Sequence, residues 1–134
     1  MEFLKRSLVS TLFLSASAFA SQTAQERELS SQLTQAVAMV NKGAGTMLDE
    51  ETRLDSAATF SNYIIYTNTM VNYTADQLDP IEFSNILNEI VIKPLCTTKG
   101  LEGFIETGVI MVYRYLDKNG KFISELSKDM STCE

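Results

Sequence analysis

Acidic side chains form the densest group of chemically capable residues in this chain. Asp49, Glu50 and Glu51 are consecutive, and Asp55 follows four residues later. Such a group could bind a calcium ion or supply a general acid and a general base. Because the run falls where the chain enters a predicted strand, solvated and partly self-paired surface charge is the simpler explanation. We therefore expect an acidic surface patch without a metal, and we keep Asp49, Glu50 and Glu51 as a candidate binding surface.

Histidine is absent from the sequence. Its absence removes Ser-His and Cys-His nucleophile pairs, the commonest general base near neutral pH and most zinc sites. No Gly-rich phosphate-binding or dinucleotide-binding run occurs, and Gly43-Ala44-Gly45 is better explained as a helix stop. We predict a non-enzymatic protein without a cofactor. An enzyme that works through carboxylates or through Tyr and Lys remains the catalytic hypothesis.

Tyrosines are the second group of interest, because aromatic rows on strands can bind ligands. Alternation along the predicted strand 109–116 places Tyr113 and Tyr115 on one face with Met111, and we assign Tyr66 and Arg114 to the opposite faces. An exposed row would form a platform for a peptide, a glycan or a protein. A buried row would be ordinary cross-strand packing, which is the interpretation we favour. Tyr113 and Tyr115 are therefore candidate binding residues, and their exposure decides between a binding platform and cross-strand packing.

The two cysteines, Cys96 and Cys133, are predicted to form a disulfide, because the chain carries an export signal and exported cysteines are normally oxidised. The bridge would close a loop for which chain entropy gives an upper-end stabilisation of about 4 kcal/mol. A redox couple is the alternative, but neither a Cys-x-x-Cys motif nor a histidine that would lower a thiol pKa is present. We predict a structural bridge that holds the C-terminus.

The N-terminus has the layout of a cleavable signal peptide. Lys5 and Arg6 precede a short apolar run, and Ala18-Phe19-Ala20 supplies small residues for cleavage after Ala20. The run is too short to span a membrane, and Ser21 stands where a lipoprotein would carry the cysteine that bears its lipid. We predict a signal peptide over residues 1–20, a single domain over residues 21–134, no membrane anchor, and a periplasmic or secreted location.

Net charge limits the class of partner. The full chain carries −6, and loss of Lys5, Arg6 and Glu2 with the signal takes this to −7. Such a balance repels nucleic acid and anionic lipid. A protein partner is left as the expected one, and the oligomeric state stays open.

The first half of the domain is predicted to contain a helix and two strands. Residues 24–42 show the 3-and-4 apolar spacing of an amphipathic helix that ends at Gly43. From Thr52 to Tyr73 the period changes to two, which indicates a pair of strands turning near Ser61-Asn62.

The second half repeats this order. Asp79-Pro80 begins a second helix to about residue 92 or 93, which Pro94 limits. We expect a wide buried face on this helix, formed by Ile81, Phe83, Ile86, Leu87, Ile90 and Val91. Thr98 could cap a short helix that ends at Gly108. Residues 109–116 and 121–126 form a hairpin, with either a type I turn and a Gly bulge or a two-residue Asn-Gly turn, and residues 127–134 form a polar tail.

The predicted fold is α+β with two layers. Its order is helix-strand-strand-helix-strand-strand, and an antiparallel sheet of about four strands is covered by two main helices.

Several stretches resemble a group of small exported proteobacterial proteins with a single disulfide and no assigned function. The resemblance covers roughly residues 39–133. It rests on the segments 41–43, 49–55, 69–79, 108–109, 113–115 and 117–123, together with Cys96 and Cys133. It implies a bacterial origin and a disulfide, and it supplies no catalytic residue.

We favour a periplasmic or secreted interaction domain that acts as an accessory factor of the bacterial envelope or of a secretion system. This hypothesis fits the missing catalytic side chains, the single predicted disulfide and the absence of a predicted membrane anchor. The alternative is a secreted effector or inhibitor that blocks a host or competitor enzyme, with the acidic run as a plug for a basic cleft.

Overall fold

The computed structural model describes residues 22–134. The predicted signal peptide and its cleavage site lie outside the described residues and remain predictions. Within residues 22–134, no helix is both long enough and apolar enough to cross a lipid bilayer.

The first helix, α1, spans Ala24–Lys42, as predicted. Thr23 caps it by accepting a hydrogen bond from the backbone N–H of Glu26, and Gly43 follows its last turn. Leu33 is its buried residue. Near the end of α1, the Asn41 side chain bonds both the N–H and the C=O of Ala57, so it occupies part of the free edge of a strand.

The sheet has five strands in the order β1-β2-β3-β4-β5. They span Thr46–Met47, Thr52–Phe60, Tyr63–Met70, Ile110–Leu116 and Phe122–Asp129. The β3–β4 pair is parallel and the other pairs are antiparallel. The prediction of a purely antiparallel sheet of about four strands was therefore wrong. The reason is that the helical segment between β3 and β4 carries the chain back to the end of the sheet where β3 begins.

That helical segment is divided into short pieces. Helix α2 spans Pro80–Leu87 and is capped by Asp79; a π-helical turn over Asn88–Ile92 and a 3₁₀ stretch over Lys93–Thr97 follow. Helix α3 spans Glu102–Thr107 and ends at Gly108, whose φ of 65° is left-handed. The predicted start at Asp79 is right, whereas the regular helix ends earlier than predicted, and α3 begins after Leu101 rather than at Thr98.

The wide buried face predicted for α2 is wrong in three positions. Ile81, Ile86 and Ile90 are 75%, 51% and 65% exposed. Phe83 and Leu87, one turn apart, are the side chains that pack toward the sheet. Ile86 and Ile90 are also one turn apart, but about 60° around the helix from that inward pair.

The helices cover one face of the sheet, which gives the predicted two layers. Leu33 from α1 and Ile92 and Leu95 from the segment after α2 join one cluster with Ile64 and Met111. Because Ile64 and Met111 are register partners on β3 and β4, they share a face. The cluster also contains Val109 and Met130.

The β4–β5 hairpin is confirmed, and its turn is the type I form. The N–H of Gly120 donates to the C=O of Asp117, the N–H of Asp117 donates to the C=O of Lys121, and Gly120 has a φ of 83°. The predicted polar tail over 127–134 is wrong in part. Strand β5 continues to Asp129, and Met130 in the 3₁₀ turn that follows is fully buried. Cys133 then forms the disulfide with Cys96, across a Cα–Cα distance of 5.4 Å.

Candidate functional site

An open apolar groove lies on the helix-covered face of the sheet. It consists of two cavities of about 350 and 330 Å³ that share Leu48, Val91 and Tyr115 among their lining residues. The first cavity lies over β2, β3 and β4, and the second extends toward α2. Helix α1 contributes no residue to either cavity. The groove is therefore the part of this face that the helices leave open.

Strands β3 and β4 supply the floor of the groove. Tyr66 lies opposite Tyr113 in the parallel register, and Asn68 lies opposite Tyr115. The Tyr66 and Tyr113 rings are stacked, with centroids 5.1 Å apart and an angle of 23° between their planes. The prediction that Tyr66 faces away from Tyr113 was wrong. Alternation fixes the faces within one strand, whereas the relation between two strands requires their register, which the sequence did not supply.

Burial changes the acidity of these phenols. Desolvation raises the pKa of Tyr66 and that of Tyr113. It also raises the pKa of Tyr115 to about 12, with a smaller contribution from the negative charge of Asp49. The floor is therefore electrically neutral at physiological pH. Tyr113 is half-buried and Tyr115 is buried, so the row is neither a fully open platform nor a fully closed core.

Exposed apolar side chains form the walls. Leu48, in the segment between β1 and β2, is 59% exposed and lines both cavities. Ile86 and Ile90 line the second cavity from the helical side. Phe83 closes the end near α2, where its ring packs edge-on to Tyr115 with centroids 5.6 Å apart. Apolar surface therefore continues out of the cavities onto both rims.

The acidic run lies at the rim of the second cavity. Asp49 and Glu51 line this cavity, and Glu50 lines neither. Asp49 Oδ1 accepts hydrogen bonds from the N–H groups of Glu51 and Thr52, both at 2.8 Å, and these bonds hold the Asp49 pKa below its usual value. Glu51 Oε1 accepts from the Tyr73 hydroxyl at 2.6 Å. Lys and Arg are missing from both sets of lining residues, so the groove presents negative charge only.

Asn68 is the groove residue that sequence analysis missed. It is 1% exposed, and its amide nitrogen makes a long hydrogen bond of 3.5 Å to the C=O of Arg114. Its Oδ1 is buried and has no hydrogen-bond partner among residues 22–134. An amide on a strand face that otherwise carries Ile64, Tyr66 and Met70 was the signal that could have found it.

The structure separates the remaining acidic residue from the groove. Asp55 lines neither cavity and pairs instead with Arg53 and Thr69. Within the described part of the chain, no three acidic or cysteine side chains gather in a way that could hold a metal ion. Of the predicted surface, Tyr113, Tyr115, Asp49 and Glu51 meet around one groove.

Comparison with known proteins gives matches in solved structures only. No protein-family model and no curated protein sequence matches this chain. A candidate secreted protein from Pseudomonas aeruginosa superposes with a TM-score of 0.70 at 15% identity, over 84% of this chain and 99% of that chain. The type II secretion pilotin EpsS of Vibrio vulnificus gives 0.65 at 11% identity, over 82% and 96%. The pilotin AspS of Vibrio cholerae gives 0.62 at 12% identity, over 81% and 95%.

The chain has the fold of these three proteins. Identities this low establish the architecture alone, and they transfer no residue roles. The matches cover nearly the whole of each neighbour, so the similarity extends over the complete fold of those proteins.

Proposed function

We propose that this protein is an exported, non-enzymatic accessory protein of a bacterial secretion system, and that it holds a segment of a protein partner in the apolar groove. The observation that carries the proposal is an open groove with an apolar floor, apolar rims and one acidic edge. Two neighbours of the same fold are type II secretion pilotins and a third is a candidate secreted protein, which supports the choice of system.

The extent of the apolar surface favours a macromolecular occupant over a small molecule. Sites for small molecules bury most of the ligand inside the cavity. Here the apolar surface continues outside the cavities on Leu48, Ile86 and Ile90, all of which are more than half exposed. A protein segment would cover these rims as well as the floor, and exposed apolar patches beside polar residues are typical of such contacts.

Charge sets the polarity of the partner. Asp49 and Glu51 stand at one edge of the groove, and no basic side chain opposes them there. A segment that carries a cationic residue at the matching end would gain attraction during approach. The net charge of −6 on the chain acts in the same direction at longer range.

The effector or inhibitor hypothesis depends on the acidic run acting as a plug. Asp49 and Glu51 each have an oxygen engaged by a neighbouring group, Asp49 with its own loop and Glu51 with Tyr73. They frame a concave surface, and a plug would need a protruding one. We therefore favour the groove as the functional element.

Two exposed isoleucines on the same helical segment provide a matched test of the proposal. Ile90 lines the groove and Ile81 does not, yet both are more than half exposed, so either can be changed to Glu without burying a charge. In the source bacterium, deletion of the gene should lower export of the substrates of its secretion system. The Ile81→Glu variant should restore export, and Ile90→Glu should not.

Normal export in the deletion strain would contradict the assignment to a secretion system. Full rescue by Ile90→Glu would contradict the role of the groove. Both variants must reach wild-type levels in the periplasm, which immunoblotting of the periplasmic fraction measures.

A further inference from the structure

Asn68 Oδ1 is the one buried side-chain oxygen or nitrogen without a hydrogen-bond partner in the part of the chain that the structure describes. It is buried without a hydrogen-bond partner among residues 22–134, and Asn68 lines the first cavity beside Tyr66 and Tyr113. A buried acceptor without a donor is destabilising, because it loses its hydrogen bonds to water and gains none in the protein. Such an atom calls for a donor. Because Asn68 is 1% exposed, a donor from outside the chain reaches Oδ1 only when the side chains around the amide shift.

The geometry fixes which atom of the amide needs the partner. The other end of the Asn68 side chain lies 3.5 Å from the C=O of Arg114, which can only accept. The NH₂ group must therefore face Arg114, and the oxygen is left as the unsatisfied end. An exchange of the two ends would place two acceptors against each other and leave the NH₂ group unpaired instead.

The surroundings of Asn68 define the donor that it can receive. The residues that line the first cavity are apolar or neutral, and no carboxylate is among them. A cation taken to this floor would lose its hydration without a counter-charge, which is costly. We therefore expect a positive charge of the partner to lie at the acidic rim near Asp49 and Glu51, and a neutral donor of the partner to lie on the floor.

We propose that the partner segment inserts one neutral hydrogen-bond donor, a hydroxyl or amide of Ser, Thr, Asn or Gln, between apolar side chains, and that this donor pairs with Asn68 Oδ1. Asn68 is then the residue that sets the specificity of the groove. The inference rests on the proposed function, since it requires a protein segment in the groove. It adds a requirement that purely apolar packing would not impose.

The probe is a random 16-residue peptide library displayed on phage and selected on the protein purified from the periplasm after expression of the full chain. Selected peptides should combine apolar residues with one central Ser, Thr, Asn or Gln. The decisive measurement is a double-mutant cycle by fluorescence anisotropy. It uses wild type and Asn68→Leu against a selected peptide and against the same peptide with its central donor residue replaced by Ala.

The Asn68→Leu change should lower the affinity for the donor peptide by about tenfold, because that complex loses a hydrogen bond. The affinity for the Ala peptide should stay unchanged or rise. Asn68→Leu alone should also melt at a higher temperature than wild type, since it removes a buried unpaired acceptor. Asn68→Ala replaces it in the cycle if the leucine variant does not fold.

Two outcomes overturn the inference while the proposed function stands. One is selection of apolar peptides without a donor. The other is an equal effect of Asn68→Leu on both peptides or on neither, which is the result expected if a bound water molecule satisfies Oδ1. The control is Leu48→Arg, at an exposed residue that lines both cavities. If the peptides bind this variant like wild type, or if no peptide is selected at all, the groove does not bind protein segments and the proposed function fails as well.

Discussion

On the helix-covered face of the sheet, the two ends of strands β3 and β4 differ in how completely their side chains are covered. At the end where both strands begin, Ile64 and Val109 are completely buried, and Leu33 and Met130 close the cluster from above. Four residues further along β3, Asn68 lies under an open cavity with an unpaired oxygen. The strands and their register are the same at both ends, so the difference lies in the side chains and in what covers them.

The closed end uses aliphatic side chains and two chain segments far apart in sequence, α1 and the 3₁₀ turn at Met130–Thr132. The open end uses tyrosines and an amide, and it is flanked by side chains that remain exposed. Purely apolar side chains gain most from complete burial, whereas tyrosines and amides keep a polar group that needs a partner. We interpret the closed end as the part that stabilises the fold and the open end as the part that binds.

Truncation at the closed end should have the largest effect on stability. Leu33→Ala removes a fully buried side chain and should lower the free energy of unfolding by about 2 to 5 kcal/mol. Leu48→Ala is the matched change at the open end, and it should cost less than about 1 kcal/mol because Leu48 is largely exposed. Urea unfolding measures both. Equal losses would show that the two ends do not differ in the way described.

Loss of the disulfide should come next. Cys133 packs against the closed cluster and is bonded to Cys96, so the double change to Ser should lower the free energy of unfolding by about 2 to 4 kcal/mol. Peptide binding in the groove should survive under conditions where the variant is folded. An equal free energy of unfolding of the wild-type protein with and without a reducing agent would contradict a stabilising disulfide.

Alkaline pH should weaken the fold through the tyrosines of the open end. The unfolded chain releases phenol protons near pH 10, whereas the folded chain retains that of Tyr115 until about pH 12. Because the unfolded state then binds fewer protons, stability falls as pH rises, by about 2 kcal/mol at pH 12 for this residue. Tyr115→Phe should flatten that fall. An unfolding free energy with the same slope in wild type and variant would contradict the burial of this phenol.

The smallest effect is expected at the acidic rim. Glu51→Gln should lower the affinity for a cationic peptide bound in the groove by about two- to fivefold at low salt. The effect should be smaller at high salt, because dissolved ions screen charges at the rim. Glu50→Gln, next to it but outside both cavities, should change affinity less. Equal effects of the two changes would mean that net charge, rather than the rim, attracts the peptide.

Local patterns predicted the elements that depend on local chemistry. The 3-and-4 spacing from residue 24 to 42 predicted α1, Asp79-Pro80 predicted the start of α2, and Asp117 to Gly120 predicted the hairpin turn. Export and the count of two cysteines predicted the disulfide. The parallel pairing of β3 with β4 was missed, because it depends on where a long crossover returns the chain and not on any local residue.

Four of the candidate residues line the groove, whereas the groove itself was not predicted. Tyr113, Tyr115, Asp49 and Glu51 were all candidates, yet the groove that brings them together needs the register of β3 and β4. It also needs the exposure of Ile86 and Ile90, which amphipathic spacing assigned to the core. Apolar character alone does not distinguish a side chain that packs in the core from one that stays exposed at the surface.

Photo-crosslinking in living bacteria tests most directly whether the open end is a protein-binding groove. A photoreactive phenylalanine analogue is placed at Leu48, which lines both cavities, or at Met39, which is exposed on α1 and lines neither. We predict a discrete adduct with an envelope secretion component, identified by mass spectrometry, from position 48 and none from position 39. The same adducts from both positions, or no adduct from position 48, would contradict the account.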